Sequence, residues 1–431
     1  MYLLSYRGPS AAGGISSALG TLWSNPKSPA DGWWHMAGGG LVYSTGFQRP
    51  ALLQPFPDDL TEQHYRFCNE FIWPLMHSFP KEVAFDSVNC QAYQAMQDKL
   101  LDGINRHRTK DIFIHDYQFA MVTKNIPNST FFWHIPWPAA VRTVWTPFLR
   151  NMAMHIATAK KIGFHTADYA ANFLNTLDDH VKPMAASKIV VAPLPVDCEL
   201  WEARAEENGV NLPQPFASLE TPFILSVDRA DYTKGILQRL TAIDTFFERY
   251  PEYRGKITFV QICQRTRSGI VAFDRYWERC RLAYDRLNKR FHEGNWQPCI
   301  WVESSFNGDQ LAHIYRTASA LLISSLRDGL NLTAKEYVAS QTCTPGALIL
   351  SRRTGVWHQL RHHAFDFEPF DEIKCAAAIA EALSAPRIER QRRMDAMREL
   401  IASESLLDWA EQFAVSTPKP PFVNLLNAVG R

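Results

Sequence analysis

Arg229 and Lys234, with four residues between them, stand in a turn of a type that binds anions. They belong to the stretch SVDRADYTKG at residues 226–235, which follows the apolar run Phe223-Ile224-Leu225 and precedes Ile236-Leu237-Gln238-Arg239-Leu240. That order predicts a buried strand, a polar loop and the start of an amphipathic helix. A helix N-terminus offers unpaired N–H groups and the positive end of a dipole. With two cations at its mouth, such a loop suits a diphosphate. Two ordinary surface cations are the plainer explanation, because exposed charges contribute little. The whole decapeptide is far more specific than the pair.

A second constellation lies in SLRDGLNL at residues 325–332, which leads into a helix carrying Lys335 and Glu336. Asp328 falls in the turn, amides near Asn331 and Leu332 open the helix, and Glu336 lies about one turn further on. A carboxylate there can take both hydroxyls of a ribose. The bland alternative is a Lys-Glu pair on a solvated helix face. In the first half, Asp116, His134 and His165 each follow a short apolar run, at 111–115, 130–133 and 161–164. Ligands of open parallel sheets bind at the carboxyl ends of strands. Arg7 follows a first strand near residues 2–5, and Ala12-Gly13-Gly14-Ile15 leads into a helix, where a glycine pair lets backbone approach a ligand.

The elements that must position these residues follow from periodicity. Residues 30–55 read as a hairpin or loop, 61–77 and 91–104 as helices, and 189–192 as the last strand of the first half. Pro193, Pro195, Pro213, Pro215 and Pro222 mark a linker between about 198 and 220. Beyond it, strands near 223–227, 257–262, 299–302, 320–324 and 347–350 alternate with helices near 235–249, 270–288, 309–317, 331–341 and 374–384. That alternation predicts a doubly wound α/β domain. A last amphipathic helix covers 406–413, before Pro418-Lys419-Pro420-Pro421.

Composition narrows the class. The 431 residues suffice for two domains, and 45 Lys+Arg against 44 Asp+Glu leave a formal charge of +1. No net field recruits nucleic acid, no basic block suggests an anionic membrane, and no apolar run reaches a membrane span. The first residues lack the pattern of a signal peptide. Eight scattered cysteines without C-x-x-C spacing suit reduced thiols in the cytoplasm rather than disulfides or zinc. No G-x-G-x-x-G follows a predicted strand, which argues against a Rossmann oxidoreductase. Asp366-Phe367-Glu368 is the nearest thing to an acidic metal cluster and reads as a strand-end loop, so no metal site is expected.

Taken together, SVDRADYTKG, HDYQ (115–118), FFWHIPWP (131–138), IGFHT (162–166) and LRDGLNLTAKEYVASQ (326–341) resemble the signatures of trehalose-6-phosphate synthases. These are retaining, metal-independent glycosyltransferases of the GT-B fold. The resemblance runs from Arg7 to about Gln341, and more loosely beyond. It implies two Rossmann-like α/β domains with parallel sheets facing an interdomain cleft. Residues 1–205 would bind the acceptor, 206–400 the nucleotide sugar, and 401–431 would form a helix and tail packing back on the first domain.

Carried over by position, the resemblance gives Arg229 and Lys234 to the donor diphosphate and Glu336 to the ribose. The Asn331 and Leu332 amides would lie beside the phosphates, with Phe306 against the base. Asp328, His134 and the Gly14 backbone would contact the donor sugar. Arg7, Asp116 and Arg267 would hold a phosphorylated acceptor, joined by His64 and Trp73. The departing phosphate takes the acceptor proton in this family, so neither cofactor nor carboxylate nucleophile is implied. Preorganised cations suit that chemistry independently, since charge grows on the diphosphate as the bond breaks.

Departures cluster on the acceptor side. His64 stands where the synthases have Tyr, Gln118 where His is common, Trp137 where Phe is usual, and Ala37 where a Trp is expected. His77-Ser78-Phe79-Pro80 and Phe85-Asp86-Ser87 are similar to glucosylglycerol-phosphate synthases. HDYQ and HIPWP are similar to pseudo-glycosyltransferases that join cyclitols through nitrogen. The leading acceptor is glucose 6-phosphate, giving trehalose 6-phosphate. Glycerol 3-phosphate and a cyclitol phosphate remain alternatives, as does a regulatory subunit that binds the same ligands without turnover. Small-molecule substrates are the only partners implied, and homo-oligomer formation is left open.

Overall fold

The computed structural model describes residues 1–9, 14–37, 42–43, 49–53, 56–106, 111–126, 128–219, 221–343 and 345–414. The glycines at 13 and 38–40, and the prolines at 418–421, lie outside the described residues. The chain divides into two units, Met1–Leu194 with the segment from Ser405 onward, and Pro195–Glu404.

The first unit holds a sheet of β1 (Tyr2–Arg7), β2 (Gly32–Ala37), β3 (Val42–Tyr43), β4 (Pro50–Leu53), β5 (Ile112–His115), β6 (Thr130–Trp133), β7 (Lys161–Phe164) and β8 (Ile189–Val191). Their order is β3-β4-β2-β1-β5-β6-β7-β8. β3 pairs antiparallel with β4, and the other pairings are parallel. β5 (IFIH) and β6 (TFFW) are buried along their whole length, as strands covered on both faces must be. The region expected as a hairpin or loop contributes the antiparallel pair β3 and β4, as a hairpin would, and also β2, a parallel neighbour of β1. Trp33 and Trp34 are buried there. Tertiary burial, not local turn chemistry, decides that segment.

The helix expected over 61–77 forms as Asp58–Arg66, a wider π-turn at Phe67–Ile72, and Trp73–Met76. Pro74 has no N–H to give to the Glu70 carbonyl one turn back. That carbonyl accepts the Ala84 N–H instead, at 2.8 Å. The widening thus follows from one residue. Near the C-terminus, the helix Leu406–Ala414 lies against the same sheet. Trp409 donates its indole N–H to the Ala192 carbonyl at 3.1 Å, and its ring packs on Phe113 and Phe132. Gly163 makes room there, because a Cβ on it would sit 2.3 Å from the Phe132 ring and 2.8 Å from Phe413.

The second unit holds β9 (Phe223–Arg229), β10 (Thr258–Gln264), β11 (Cys299–Val302), β12 (Ala320–Ile323), β13 (Ala347–Ser351) and β14 (Phe365–Phe367). All pair in parallel, in the order β11-β10-β9-β12-β13-β14. The expected strands and helices of this half appear within a few residues. β14 and the helix Arg387–Ala402 had not been expected. The unit begins at Pro195 rather than near residue 206, since the helix Cys198–Glu206 packs on Gly308–Thr317 and Leu332–Ala339. Asp366 and Glu368 are engaged by Arg352 and Arg353 at 3.0 Å, which accounts for that acidic pair structurally.

Each sheet reverses direction once. β9 lies between β10 and β12, and β1 lies between β2 and β5. Chain crossovers leave such a sheet in opposite directions at that point, opening a crevice at the carboxyl ends of the two central strands. Arg229 ends β9 and the 324–328 loop follows β12. Arg7 ends β1 and Asp116 follows β5.

Candidate active site

In the second unit, the chain turns sharply after β9. Ala230 N–H bonds the Gln264 carbonyl at 2.8 Å, a 3-10 turn covers Tyr232–Lys234, and Gly235 adopts φ 66°. A Cβ at Gly235 would lie 2.3 Å from the Ser324 carbonyl oxygen. Only glycine satisfies both the positive φ and that approach. The loop is thereby pressed against the end of β12.

Lys234 reaches Asp328 across this junction, Nζ to Oδ2 at 2.5 Å. Ser325 Oγ donates to the same oxygen at 3.2 Å and Asn331 Nδ2 at 3.1 Å. Asn331, at φ 89°, caps the helix Leu332–Ala339 by accepting the Ala334 N–H at 3.1 Å. Arg229, Lys234, Asp328, Asn331 and Leu332 are thus gathered around the β9/β12 switch point.

One turn into that helix Glu336 is half-buried, and Tyr315 O–H donates to its Oε2 at 3.3 Å. Burial pushes its carboxyl up to about 7. Its neighbour Lys335 is not on a solvated face. It is fully buried and paired with Glu404 at 2.9 Å. The bland reading of the Lys-Glu pair therefore fails.

One expectation is corrected. The opening amides of the helix Ile236–Arg249 do not await an anion. Ile236 and Leu237 N–H both donate to the Tyr276 hydroxyl, at 2.7 and 3.2 Å. Behind the loop lies Arg239, 1% exposed. It pairs with the buried Asp228 carboxylate and bonds Ser324 Oγ at 2.9 Å and Gln261 Oε1 at 3.2 Å. Burial pushes the Asp228 carboxyl up, with Arg239 opposing. Sequence reasoning passed over Arg239, although a cation between Ile236, Leu240 and Ile243 occupies the apolar stripe of an amphipathic helix.

Arg267 sits at φ 49° beyond β10, its guanidinium 4.7 Å above the Phe273 ring and 2.6 Å from Asp231 Oδ2. Phe306 follows β11 and packs edge-on against Phe216 at 5.6 Å.

In the first unit, Arg7 is exposed at the end of β1, and Gly14 is exposed as the first residue of the helix Gly14–Ser24. Asp116 has φ 72° and ψ 176°, a region that side-chain-bearing residues rarely occupy. It is buried, accepts the His134 N–H at 3.3 Å, and has its carboxyl pushed up by burial to about 7. Such a strained, perturbed carboxylate at a switch point is a functional-site signal. Trp73 is 7% exposed and packs against the His77 ring at a tilt, with centroids 4.0 Å apart.

Two expected contact residues are turned inward. His64 is fully buried, lies between Tyr6 and Tyr93 at 5.9 and 5.3 Å, and bonds the Gln118 carbonyl through Nε2 at 3.2 Å. Burial holds its ring near a pKa of about 4, so it stays neutral. The smaller imidazole fits a stack where a phenol's hydroxyl would need a further partner. His134 is also buried, with both ring nitrogens engaged by histidines: Nε2 with His115 Nδ1 at 3.0 Å, and Nδ1 with His165 Nε2 at 3.2 Å.

The tautomers of this trio follow from one backbone group. Leu194 N–H donates to His165 Nδ1 at 3.3 Å. His165 must then carry its proton on Nε2 and give it to His134 Nδ1, which puts the His134 proton on Nε2 facing His115. All three rings are neutral in that arrangement. Burial lowers His134 to about 3 and His115 well below the usual imidazole range.

Among the described residues, no group of three or more His, Cys, Asp or Glu is arranged to hold a metal ion, and no helix is long and apolar enough to cross a membrane.

Residues 48–417 match the family model described as Glycosyltransferase family 20. The bifunctional trehalose-6-phosphate synthase/phosphatase of Thermoproteus tenax is 30% identical over 84% of this chain and 53% of its own length. The trehalose-6-phosphate synthase of Sodalis glossinidius is 30% identical over 84% of this chain and 81% of its own. A UDP-forming alpha,alpha-trehalose-phosphate synthase from Burkholderia xenovorans, solved in complex with glucose 6-phosphate, superposes with a TM-score of 0.86 at 25% identity, covering 96% of this chain and 98% of the other. The chain spans about half the length of the first curated relatives it matches, 51% for a probable synthase of Arabidopsis thaliana and 53% for the Thermoproteus protein. Its fold is accordingly the GT-B fold expected from the sequence.

Proposed function

The chain belongs to glycosyltransferase family 20, and we propose that it transfers glucose, with retention, from UDP-glucose to glucose 6-phosphate. The product is trehalose 6-phosphate. The observation that carries this reading is the cluster of Lys234, Asp328, Ser325 and Asn331 at the β9/β12 switch point. Arg229 stands at the strand end beside it.

In this reading the second unit binds the donor. Arg229 and Lys234 neutralise the diphosphate as its charge grows, assisted by first-turn amides at Asn331 and Leu332, which have no intrahelical partner by geometry. Glu336 accepts the ribose hydroxyls, and Phe306 lies against the base. Asp328 exchanges part of its bond with Lys234 for a hydroxyl of the donor sugar. Preorganised charge of this kind supplies about 3–4 kcal/mol of transition-state stabilisation per group. Proton transfer from the acceptor to the departing phosphate then needs no side-chain base.

The first unit binds the acceptor through Arg7, Trp73 and Asp116, with Arg267 as a further phosphate ligand. Gly14 approaches the donor sugar through its backbone. His134 acts through its backbone bond to Asp116 rather than through its ring. His64 shapes the pocket wall from within the core.

A second reading concerns the acceptor alone. His64, bonded through Nε2 to the backbone carbonyl of residue 118, and Gln118 itself stand where the synthases carry Tyr and His. Those side-chain departures favour an acceptor other than glucose 6-phosphate, such as glycerol 3-phosphate or a cyclitol phosphate. Product detection with UDP-, ADP- and GDP-glucose against glucose 6-phosphate, glycerol 3-phosphate and an aminocyclitol phosphate tests both readings. Turnover with glucose 6-phosphate supports the first, and turnover restricted to another acceptor supports the second. Donor binding without any transfer refutes both, leaving a regulatory subunit.

A further inference from the structure

Asp231 lies inside the SVDRADYTKG loop, between the two cations proposed for the donor diphosphate, yet its carboxylate is wholly buried. Oδ1 accepts the Thr233 N–H at 3.0 Å, which fixes the 3-10 turn that presents Lys234. Oδ2 accepts from Arg267 at 2.6 Å. Arg267 arrives from a different loop, the one after β10, and has only 7% of its side chain exposed. Its guanidinium is held on two sides, by this carboxylate and by the Phe273 ring 4.7 Å below it.

We propose that Asp231 is a positioning residue that ties the acceptor-phosphate arginine, Arg267, to the donor-diphosphate loop. The proposal rests on the reading that Arg267 binds the acceptor phosphate. One carboxylate serves both loops, through Oδ2 for the guanidinium and through Oδ1 for the turn that carries Lys234. A planar guanidinium grips a carboxylate with one edge and keeps the geometry of its remaining donors fixed. Without Asp231, Arg267 retains its charge and its place over Phe273 but loses a charge-assisted bond that fixes its rotation. A phosphate would still attract it and would have to order it on binding. Acceptor affinity falls for that reason, while the diphosphate cations keep their own partners.

The test is a double-mutant cycle on the full chain, with kcat and KM for the acceptor and Kd for the donor alone. D231N is expected to raise the acceptor KM about 10- to 100-fold, the worth of one hydrogen bond to a charged group. Donor Kd is expected to stay within about threefold, because Asn keeps an oxygen that can accept the Thr233 N–H and so hold the turn. R267A is expected to raise the acceptor KM at least as far, and D231N is expected to add nothing in the R267A background. D231E, which keeps the charge, is expected to recover part of the lost acceptor affinity, and it carries the same cycle with R267A should D231N not fold. Equal losses of donor and acceptor binding, or full additivity with R267A, overturn the proposal. An R267A variant with unchanged acceptor KM overturns the underlying reading of Arg267 and the proposal with it, and the single-variant data distinguish that case.

Discussion

Asp116→Asn separates what the first unit gives up in stability from what it gains in chemistry. Burial raises the Asp116 carboxyl from its ordinary 3.8 to about 7. The folded chain therefore holds this proton more tightly than the unfolded chain does. Stability contributed by the group is present below about pH 4 and is lost as pH rises through about 7. A shift of about 3 units corresponds to about 4 kcal/mol between the two protonation states. Asn keeps the shape and cannot ionise. Its buried amide costs about 1–3 kcal/mol if it lacks a partner, so the net gain at pH 8 is expected to be about 1–3 kcal/mol. The pH dependence of the difference is cleaner than its size. Melts of wild type and variant at pH 5, 6, 7 and 8 should diverge progressively in favour of the variant. For a unit of this size that is a gain of about 2–4 °C per kcal/mol. Activity should move the opposite way, with kcat/KM down about 100-fold or more through loss of a charged acceptor contact. Asp116→Gly also relieves the strain of φ 72°, about 1–3 kcal/mol at every pH. A difference between wild type and the Asn variant that does not change from pH 5 to 8 refutes the reasoning.

Other consequences are as direct. Lys234→Ala should lower kcat by about 100- to 1000-fold with little change in melting temperature, and an unchanged kcat/KM for the donor would remove Lys234 from the site. In wild type, donor KM should rise as pH falls from 8 to 6, because Glu336 takes up its proton near 7; Glu336→Gln should bind donor weakly with no such slope. Trp409→Ala should destabilise the first unit by about 3–5 kcal/mol, and a thermal melt unchanged from wild type contradicts the packing of the C-terminal helix. Nitrogen-15 imidazole spectra should show the Nε2–H tautomer on His115, His134 and His165, with His115 and His134 neutral from pH 5 to 8; an Nδ1–H tautomer on His134 contradicts the derivation from Leu194.

Much of the proposed donor side was legible because its local structure comes from one short stretch. Strand, loop and helix follow one another within about fifteen residues of Phe223, and every residue that turns the chain there has a type the turn demands. Gly235 shows this best, since positive φ and a 2.3 Å approach leave no other choice. Tyr276 was not legible from the same stretch. It comes from the helix Val271–Phe291 and closes the very amides that periodicity offered to a ligand. A pattern in one segment can say that amides are unpaired within their helix, but not what another helix brings to them.

The acceptor side was harder for the same physical reason in a stronger form. His64 and Gln118 are more than fifty residues apart in sequence, and each alone looks like a polar substitution on a pocket wall. The His64 imidazole is instead satisfied inside the core by the Gln118 backbone carbonyl, a partner that no side-chain type reveals; left unpartnered there it would cost about 1–3 kcal/mol. The histidines at the strand ends repeat the lesson. Three polar residues following three apolar runs suggested three ligand contacts, yet parallel register brings the ends of β5, β6 and β7 side by side. Adjacent strands lie only about 4.8 Å apart, so their end residues meet each other before they meet a substrate. What reaches Asp116 from the end of β6 is the backbone N–H of His134. The side chains that spell the motif brace that strand end, and Asp116, strained and raised toward neutrality, is the group they brace.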